Sequence, residues 1–386
     1  MTRGETGLRM SVAFRQEFFV RAASFVSSSV GVGLIVMQAS ATGAQSLDVY
    51  RGVNETHLHW KTPEEREKIS DDMRQAGVGS VRVDLGAPFD KSIDSLDLLT
   101  RKHLSILLIV GFSEPHLVAR DATRRPGRGS IWSVVPLSQL DTEFFREKFG
   151  GLWREIEQRR IRLTAIEAGN EINWAAFNGD LGLVPSHGQP PQGAPGSVAL
   201  HDRAAYLLGL RRYVAAVAII KQFRDASINN RDTKIISAGL ASMPATFAAN
   251  VGAEYVDTSE TLDILKADGL DALVDGYGVH IYPSVNQTLS QRARDFEDLL
   301  RPCGPGARGH PCWLTEWGVR QPNLACPADE SKRVPLIRET LERIAANVRQ
   351  KRIGGSYYYD WDDKPAEFAV WRCGGLTEAG KVLFGR

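Results

Sequence analysis

The alternation of strand-like and helix-like segments constrains the fold of this chain more than any other feature. Eight short segments rich in β-branched and aromatic residues recur along it, and segments of helical periodicity lie between them. Regular alternation of this kind is typical of βα units and a parallel sheet. The eight candidate strands are residues 47–54, 80–84, 105–111, 163–169, 234–239, 274–280, 312–316 and 355–360.

The intervening segments read as helices with recognisable starts. The first opens with Thr62-Pro63-Glu64-Glu65, where a capping residue precedes proline and two acids of the first turn. Eight strands that alternate with helices favour a closed barrel over an open doubly wound sheet, and 386 residues suit one such domain. We therefore predict an α/β fold, a single-domain (β/α)8 TIM barrel over residues 45–386. The predicted helices are residues 62–75, 93–103, 142–158, 202–223, 260–268, 289–300 and 329–350.

The first forty-four residues have a different composition from the rest. Four arginines, the last of them Arg21, precede an apolar and small-residue stretch from Phe25 to Met37, and small residues continue to Ala44. This order is typical of a signal peptide. The stretch is interrupted by serines and is shorter than the roughly 20 apolar residues of a spanning helix. We predict a signal peptide over residues 1–44, a periplasmic or secreted mature protein, and no stable membrane span after cleavage.

Four cysteines lie in the last quarter of the chain. An even number in an exported protein suggests disulfides. Cys303 and Cys312 flank a segment rich in glycine and proline that can turn, which leaves Cys326 and Cys373 as the second pair. The chain has no CxxC spacing, so a zinc site built from these cysteines is not expected. We expect no metal and no other cofactor.

The charge balance excludes some classes of partner. The chain has 47 Lys and Arg residues and 46 Asp and Glu residues, so its formal charge is +1. This balance lacks the excess of positive charge that is typical of proteins that bind nucleic acid or an anionic membrane. We expect no nucleic-acid partner and a monomer. Two long loops, 113–136 and 175–197, follow strand C-termini, where barrel active sites lie, and we expect them to wall a cleft.

Two glutamates occupy the ends of predicted strands. Glu171 follows the fourth strand in Gly169-Asn170-Glu171, and Glu316 ends the seventh in Thr315-Glu316-Trp317-Gly318. A carboxylate at the end of an apolar strand is costly to bury without a partner or a use. Glycosidic bond cleavage requires a carboxylic acid and a carboxylate on either side of the anomeric carbon. The two glutamates are therefore a candidate catalytic pair.

These two motifs resemble the acid/base and nucleophile motifs of clan A retaining glycoside hydrolases, most closely family 5, the cellulase type, with family 39 as a neighbour. The resemblance implies Glu171 as acid/base, Glu316 as nucleophile, a β-linked oligo- or polysaccharide substrate and no metal. A sugar could replace water as the acceptor, which is transglycosylation.

The resemblance also implies roles for further residues. Asn170 would bind the sugar 2-hydroxyl, and Arg82 would lie near the nucleophile. Tyr282 would orient Glu316, and His280 would lie close to Glu171. Aromatic rings near strand ends suit carbohydrate binding because sugar C–H faces stack on them. The expected substrate contacts therefore include His57, Trp60, Trp317 and Trp361. The resemblance implies that Trp361 is the platform under the sugar ring.

Two other readings remain open at this point. His57-Leu58-His59 follows the first strand, where metal-dependent amidohydrolase barrels place an HxH pair, and His280 could extend such a set. Against this reading, the fifth strand offers no histidine and Glu316 has no role in it. The other reading is a carbohydrate-binding barrel without catalysis.

Overall fold

The computed structural model describes residues 52–129, 131–184, 196–304, 309–322, 325–362 and 367–385. Within them, eight parallel strands form a nearly closed barrel with helices between the strands. The chain is therefore a (β/α)8 TIM barrel, and the prediction of the fold is confirmed. The predicted signal peptide and the predicted start of the first strand lie outside the described residues.

The strands are β1 (Gly52–Asn54), β2 (Ser80–Asp84), β3 (Ser105–Val110), β4 (Ala165–Ala168), β5 (Lys234–Ile236), β6 (Tyr277–Ile281), β7 (Cys312–Trp317) and β8 (Ile353–Tyr358). Their order around the barrel follows the sequence. Consecutive strands pair from β1 to β5 and from β6 to β8, and β8 pairs with β1. Two single bridges, Ile236 with Gly276 and Leu240 with Val279, join the segments of β5 and β6.

The helices begin and end at local signals in the sequence. In α1, the Thr62 side chain accepts from the Glu65 amide at 3.2 Å while Glu65 accepts from the Thr62 amide at 2.8 Å. Gly77 ends the helix at φ +87°. The helices are α1 (Pro63–Ala76), α2 (Phe89–Arg101), α3 (Pro115–Val118), α4 (Thr142–Gln158), α5 (Arg203–Asp225), α6 (Ala245–Asn250), α7 (Thr258–Ala267), α8 (Leu289–Leu299), α9 (Arg333–Arg349) and α10 (Glu378–Phe384). None of the described helices is long and apolar enough to cross a membrane.

Strand alternation divides the side chains between two apolar regions. On β2, Val81 and Val83 belong to the large outer core between barrel and helices, whereas Arg82 faces the barrel axis. A smaller apolar cluster forms the floor inside the barrel, and Ser80 joins it through a 3.0 Å hydrogen bond to a tyrosine hydroxyl. The floor consists of Leu107, Ile109, Ala165, Ile236, Trp313 and Tyr357. Above this floor the interior is polar, so the mouth of the barrel has a closed base.

A β-bulge interrupts the alternation in β7. Leu314 pairs with Val279, but the next pair along the strands is Glu316 with His280, so Thr315 is the extra residue. A bulge can direct two consecutive side chains to the same face of a sheet, whereas strict alternation would direct them to opposite faces. Thr315 and Glu316 therefore both reach the polar groups of the barrel interior.

Two disulfides hold the last quarter of the chain. Cys303 pairs with Cys312 at a Cα separation of 5.4 Å, and Cys326 pairs with Cys373 at 5.7 Å. These are the pairings predicted from the sequence. The first links the end of α8 to β7, and the second ties the segment before α9 to the hairpin of β9 (Trp371–Arg372) and β10 (Gly375–Leu376).

A buried ion pair anchors the C-terminal segment to the barrel. Arg333 donates to Glu330 at 2.7 Å, to the Tyr358 hydroxyl at 2.8 Å and to the Ala369 carbonyl at 3.2 Å. The second oxygen of Glu330 accepts from the Ala379 amide at 2.6 Å. Both charged side chains are almost fully buried. The pair therefore joins α9 and β8 to the start of α10.

Replacing Arg333 with Met should lower the free energy of unfolding by about 3–5 kcal/mol, because Glu330 would remain buried without its cation. Urea unfolding measures the change. Arg343→Met is the control, since its 3.3 Å pair with Glu339 is partly exposed and should contribute about 0.5 kcal/mol or less. Equal effects of the two substitutions would contradict the anchoring role of Arg333.

Candidate active site

A fully buried arginine connects several strand ends. The Arg82 Nε donates to Glu167 at 2.5 Å, and Nη1 donates to Glu316 at 2.6 Å and to the Asn54 side chain at 2.7 Å. Nη2 donates to the Asn170 side-chain oxygen at 2.7 Å. These partners lie on β1, β4, β7 and the turn after β4. One guanidinium group therefore fixes the relative positions of both predicted catalytic motifs.

A second chain of hydrogen bonds runs through His280. Its Nδ1 lies 2.9 Å from a Glu171 oxygen, and its Nε2 lies 3.1 Å from the Thr315 hydroxyl. The hydroxyl in turn donates to Glu167 at 2.7 Å. The imidazole is therefore held at both ring nitrogens, with one end against Glu171.

Glu316 has a partner at each carboxylate oxygen. Arg82 donates to Oε1, and the Tyr282 hydroxyl donates to Oε2. The His280 Nδ1 lies 3.5 Å from the same Oε2. Two donors and a neighbouring imidazole leave this carboxylate little freedom to rotate.

The two glutamates face one another across the mouth. One oxygen of Glu171, one oxygen of Glu316 and a ring nitrogen of His280 all lie within 4.8 Å of one another. The glutamate side chains are only 13% and 10% exposed, so little water screens them. A small group that reaches one carboxyl group from the mouth therefore also reaches the other.

Their surroundings shift the two acids in opposite directions. Burial raises the pKa of Glu171, and the negative charge of Glu316 adds to the rise. Burial by itself would also raise the pKa of Glu316. The charges of His280 and Arg82 and the hydrogen bond from Tyr282 outweigh burial and hold this pKa below the ordinary value. Burial acts to lower the pKa of His280, but Glu316 and Glu171 raise it above the ordinary value. These shifts favour the protonated form of Glu171 and the ionised form of Glu316.

The backbone after β4 places Glu171 at the mouth. Gly169 has φ +94° and Glu171 itself has φ +44°, a region that non-glycine residues rarely adopt. The Glu171 amide donates to the Gly239 carbonyl at 2.7 Å, and its carbonyl accepts from Trp174 at 2.9 Å. Two hydrogen bonds therefore hold the turn that carries the carboxyl group.

Gly239 is required for the close approach of three side chains. A Cβ added there would lie 2.1 Å from His280 Nε2, 2.5 Å from a Glu167 oxygen and 2.7 Å from the Thr315 hydroxyl. Real Cβ atoms do not approach so closely. Any larger residue at this position must displace the hydrogen-bond chain.

Arginines of the loop 113–136, one of the two loops predicted to wall a cleft, bond to main-chain oxygens of the loop and of neighbouring segments. Arg125 donates to the Ala175 carbonyl at 2.5 Å, and Arg128 donates to the Val184 carbonyl at 2.7 Å. Arg124 donates to the Ser133 carbonyl at 3.0 Å. These three guanidinium groups therefore hold main-chain oxygens. The middle of the second predicted wall, 185–195, lies outside the described residues.

Two of the predicted sugar-binding aromatics are buried elsewhere, which corrects the sequence expectation. Trp317 is 1% exposed because β7 turns it outward against Tyr358, with ring centroids 4.9 Å apart. Trp361 is 0% exposed and stacks on Trp371 at 5.1 Å, since the chain leaves β8 and passes under the C-terminal segment. Neither ring presents a face to the mouth, so Trp361 is not a platform in this structure.

Trp60 and His57 lie as a stacked pair on the loop after β1. Their ring centroids are 4.2 Å apart and nearly parallel, and Trp60 is 65% exposed. His59 is buried, and burial together with His57 lowers its pKa to about 4. In the HxH pair, His57 is therefore half-buried against Trp60, whereas His59 is buried.

Sequence reasoning did not single out several residues that contact the site. Glu167 and Thr315 link Arg82 to His280, and a charged residue inside the apolar run 163–169 was the signal for Glu167. Asn54, at the end of β1, accepts from Arg82. Tyr359 is a partly exposed aromatic residue after β8, and its ring lies edge-on 6.1 Å from Tyr282.

One set of donors could hold a cation. Among the described residues, the group of three or more close enough to share a metal is Glu171, His280 and Glu316, without His57 or His59. Arg82 already places a positive charge 2.6 Å from Glu316. A divalent ion would meet that charge, so the donor set fits a metal poorly.

Comparisons with known proteins support the fold. No family model matches the chain, and no curated protein matches its sequence. A fungal β-1,4-galactanase structure is similar with a TM-score of 0.51 at 13% identity, over 82% of this chain and 90% of that chain. The virulence factor SghA, solved with its substrate analog salicin, also gives 0.51 at 13%, over 83% and 84%. Gas2p of Saccharomyces cerevisiae with laminaritriose and laminaritetraose gives 0.46 at 15%, over 87% and 63%.

Gly239→Ala should lower the free energy of unfolding by about 1–3 kcal/mol, because the added methyl group must push His280 or Glu167 out of the hydrogen-bond chain. Denaturant unfolding tests this. Gly375→Ala is the matched control, since an added Cβ there meets nothing within 4 Å. A change in Gly239→Ala no larger than in the control would contradict the packing argument.

Proposed function

We propose that the chain is a retaining glycoside hydrolase acting on β-linked oligo- or polysaccharides, with Glu171 as general acid/base and Glu316 as nucleophile. The observation that carries the proposal is the facing pair of glutamates with oppositely shifted pKa values, within 4.8 Å of each other. The barrel fold shared with fungal β-1,4-galactanases is compatible with this chemistry.

The first step forms a covalent intermediate. Ionised Glu316 attacks the anomeric carbon with a carboxylate lone pair, while Glu171 gives its proton to the glycosidic oxygen as the bond to the leaving group breaks. Arg82 and Tyr282 hold the two Glu316 oxygens so that one lone pair points into the mouth. His280 contacts both glutamates through Nδ1, and the two carboxyl groups raise the pKa of its ring.

The second step releases the sugar with its original configuration. Glu171, now a carboxylate, takes a proton from water as the water oxygen attacks the anomeric carbon and the ester bond to Glu316 breaks. A sugar hydroxyl in place of water would give transglycosylation. Retaining enzymes separate their carboxyl groups by about 5–5.5 Å, and inverting enzymes leave about 6.5–9.5 Å for a water. The short separation here therefore favours retention.

The side chain of Asn170 has a fixed orientation beside Arg82. Its side-chain oxygen accepts from Arg82, which orients the amide and leaves the NH2 group directed away from the guanidinium. We assign this NH2 group to the sugar 2-hydroxyl.

This mechanism needs no cofactor, because every proton and electron pair comes from the two glutamates, the substrate and water.

We place the mature enzyme in the periplasm or outside the cell. Disulfides persist in oxidising compartments, and Cys303–Cys312 and Cys326–Cys373 pair all four cysteines. The predicted signal peptide over residues 1–44 agrees with this location.

Replacing the two glutamates separates their roles. Glu316→Ala should reduce turnover to background, because no covalent intermediate can form, and Glu171→Ala should lose about 10²- to 10⁴-fold with poor leaving groups. An activated aryl β-glycoside needs little protonation, so azide should accelerate Glu171→Ala and give a β-glycosyl azide. Glu114→Ala, another glutamate after a strand end, is the control and should retain wild-type rates.

Product stereochemistry decides between the two mechanisms. Proton NMR of the wild-type reaction should show the β anomer first, before mutarotation. An α anomer as first product would show that Glu316 is not the nucleophile.

The activity should follow a bell-shaped pH profile in kcat/KM. Turnover requires ionised Glu316 and protonated Glu171, so it is lost at low pH as Glu316 gains a proton. It is also lost as pH rises through the raised pKa of Glu171. With an activated aryl β-glycoside, Glu171→Ala should lose the alkaline limb. An alkaline limb that survives in this variant would assign the ionisation to another group.

A further inference from the structure

Asp84 is an acidic residue at the barrel mouth that the mechanism above does not use. It ends β2 two residues beyond Arg82, and residues two apart on a strand share a face. Its carboxyl group therefore faces the axis about 6–7 Å above the Arg82 layer. Asp84 is partly exposed, and its carboxylate accepts no hydrogen bond from the part of the chain that the structure describes.

The charges that act on Asp84 belong to the catalytic site. Those with the largest effect are Arg82 on its own strand, His57 after β1, Glu167 on β4 and Glu316 on β7. Burial raises the pKa of Asp84 to about 7, although Arg82 and His57 act in the opposite direction. This carboxyl group therefore has no hydrogen-bond donor among the described residues and lies within electrostatic reach of the proposed nucleophile.

Five arginine and lysine side chains near the mouth already have partners in the protein. Arg82 is held by Glu167 and Glu316, and Lys61 lies 3.7 Å from Asp362. The three arginines of the wall loop bond to main-chain carbonyls. An anionic sugar would therefore meet carboxyl groups without a dedicated positive partner among these residues.

We propose that Asp84 accepts hydrogen bonds from hydroxyl groups of the sugar bound over Glu316 and makes the site select neutral sugars over uronic acids. This inference rests on the proposed function. Sugar hydroxyl groups supply the donors that the protein does not provide to this carboxylate. A uronic acid would instead bring a like charge toward Asp84 and Glu316.

The test compares each neutral substrate with its acidic analogue. The substrates are 4-nitrophenyl β-glucoside and β-galactoside with the corresponding glucuronide and galacturonide. Wild type should favour the neutral member of each pair that it hydrolyses, as a ratio of kcat/KM values. Asp84→Asn should lower this ratio by about 10-fold or more, since hydrogen bonds to charged groups are among the stronger ones.

The ratio should also depend more strongly on pH in wild type than in Asp84→Asn. In wild type it should fall as pH is lowered from 8 to 6, because Asp84 gains a proton while the uronate stays ionised. Glu171 and Glu316 also act on the uronate as they titrate, but both are retained in Asp84→Asn. The fall in the ratio should therefore be smaller in Asp84→Asn, and the difference between the two proteins reports Asp84.

Two controls keep the outcomes distinct. Asp90→Asn, at the exposed start of α2, should leave the ratio unchanged. Urea unfolding checks that Asp84→Asn is folded, and Asp84→Ser replaces it if it is not. A ratio unaltered by either Asp84 substitution overturns the inference and leaves the proposed function intact. If wild type hydrolyses no aryl β-glycoside, the proposed function fails and the inference falls with it.

Discussion

The buried guanidinium of Arg82 is the interaction on which the rest of the site depends. Removing a charged pair from water costs several kcal/mol per ion, so such a pair contributes little to stability unless every donor is satisfied. Here Glu167, Glu316, Asn54 and Asn170 accept from it at 2.5–2.7 Å. The cost is offset by these hydrogen bonds, and the result is a fixed spacing between four parts of the barrel.

Arg82 also contributes to the difference in pKa between the two facing glutamates. Arg82 lies 2.6 Å from Glu316, and its remaining donors bind other acceptors. Among the described residues, the Glu171 carboxyl group therefore has no guanidinium partner and is hydrogen-bonded to His280. Burial acts on both acids, but the attraction of Arg82 and His280 outweighs it at Glu316 alone. The division of acid and nucleophile in the proposed mechanism thus arises from geometry around two identical side chains.

The barrel brings these polar side chains together at the carboxyl ends of its strands. The apolar floor inside the barrel excludes water from below, while the parallel strands deliver polar side chains to the same edge. The bulge in β7 adds Thr315 and Glu316 to that edge together. Gly239 leaves the space in which His280 can contact its partners.

The sequence by itself determined the barrel, the cysteine pairs and the two glutamate motifs, because periodicity, spacing and strand-end carboxylates are local properties. It also pointed to Arg82 and Tyr282 through the family resemblance. Only the tertiary structure decided that Trp361 is buried and that Glu167 joins the network. The physical reason is that a bulge, a chain turn and contacts between distant strands set side-chain direction, and no local pattern in the sequence encodes them.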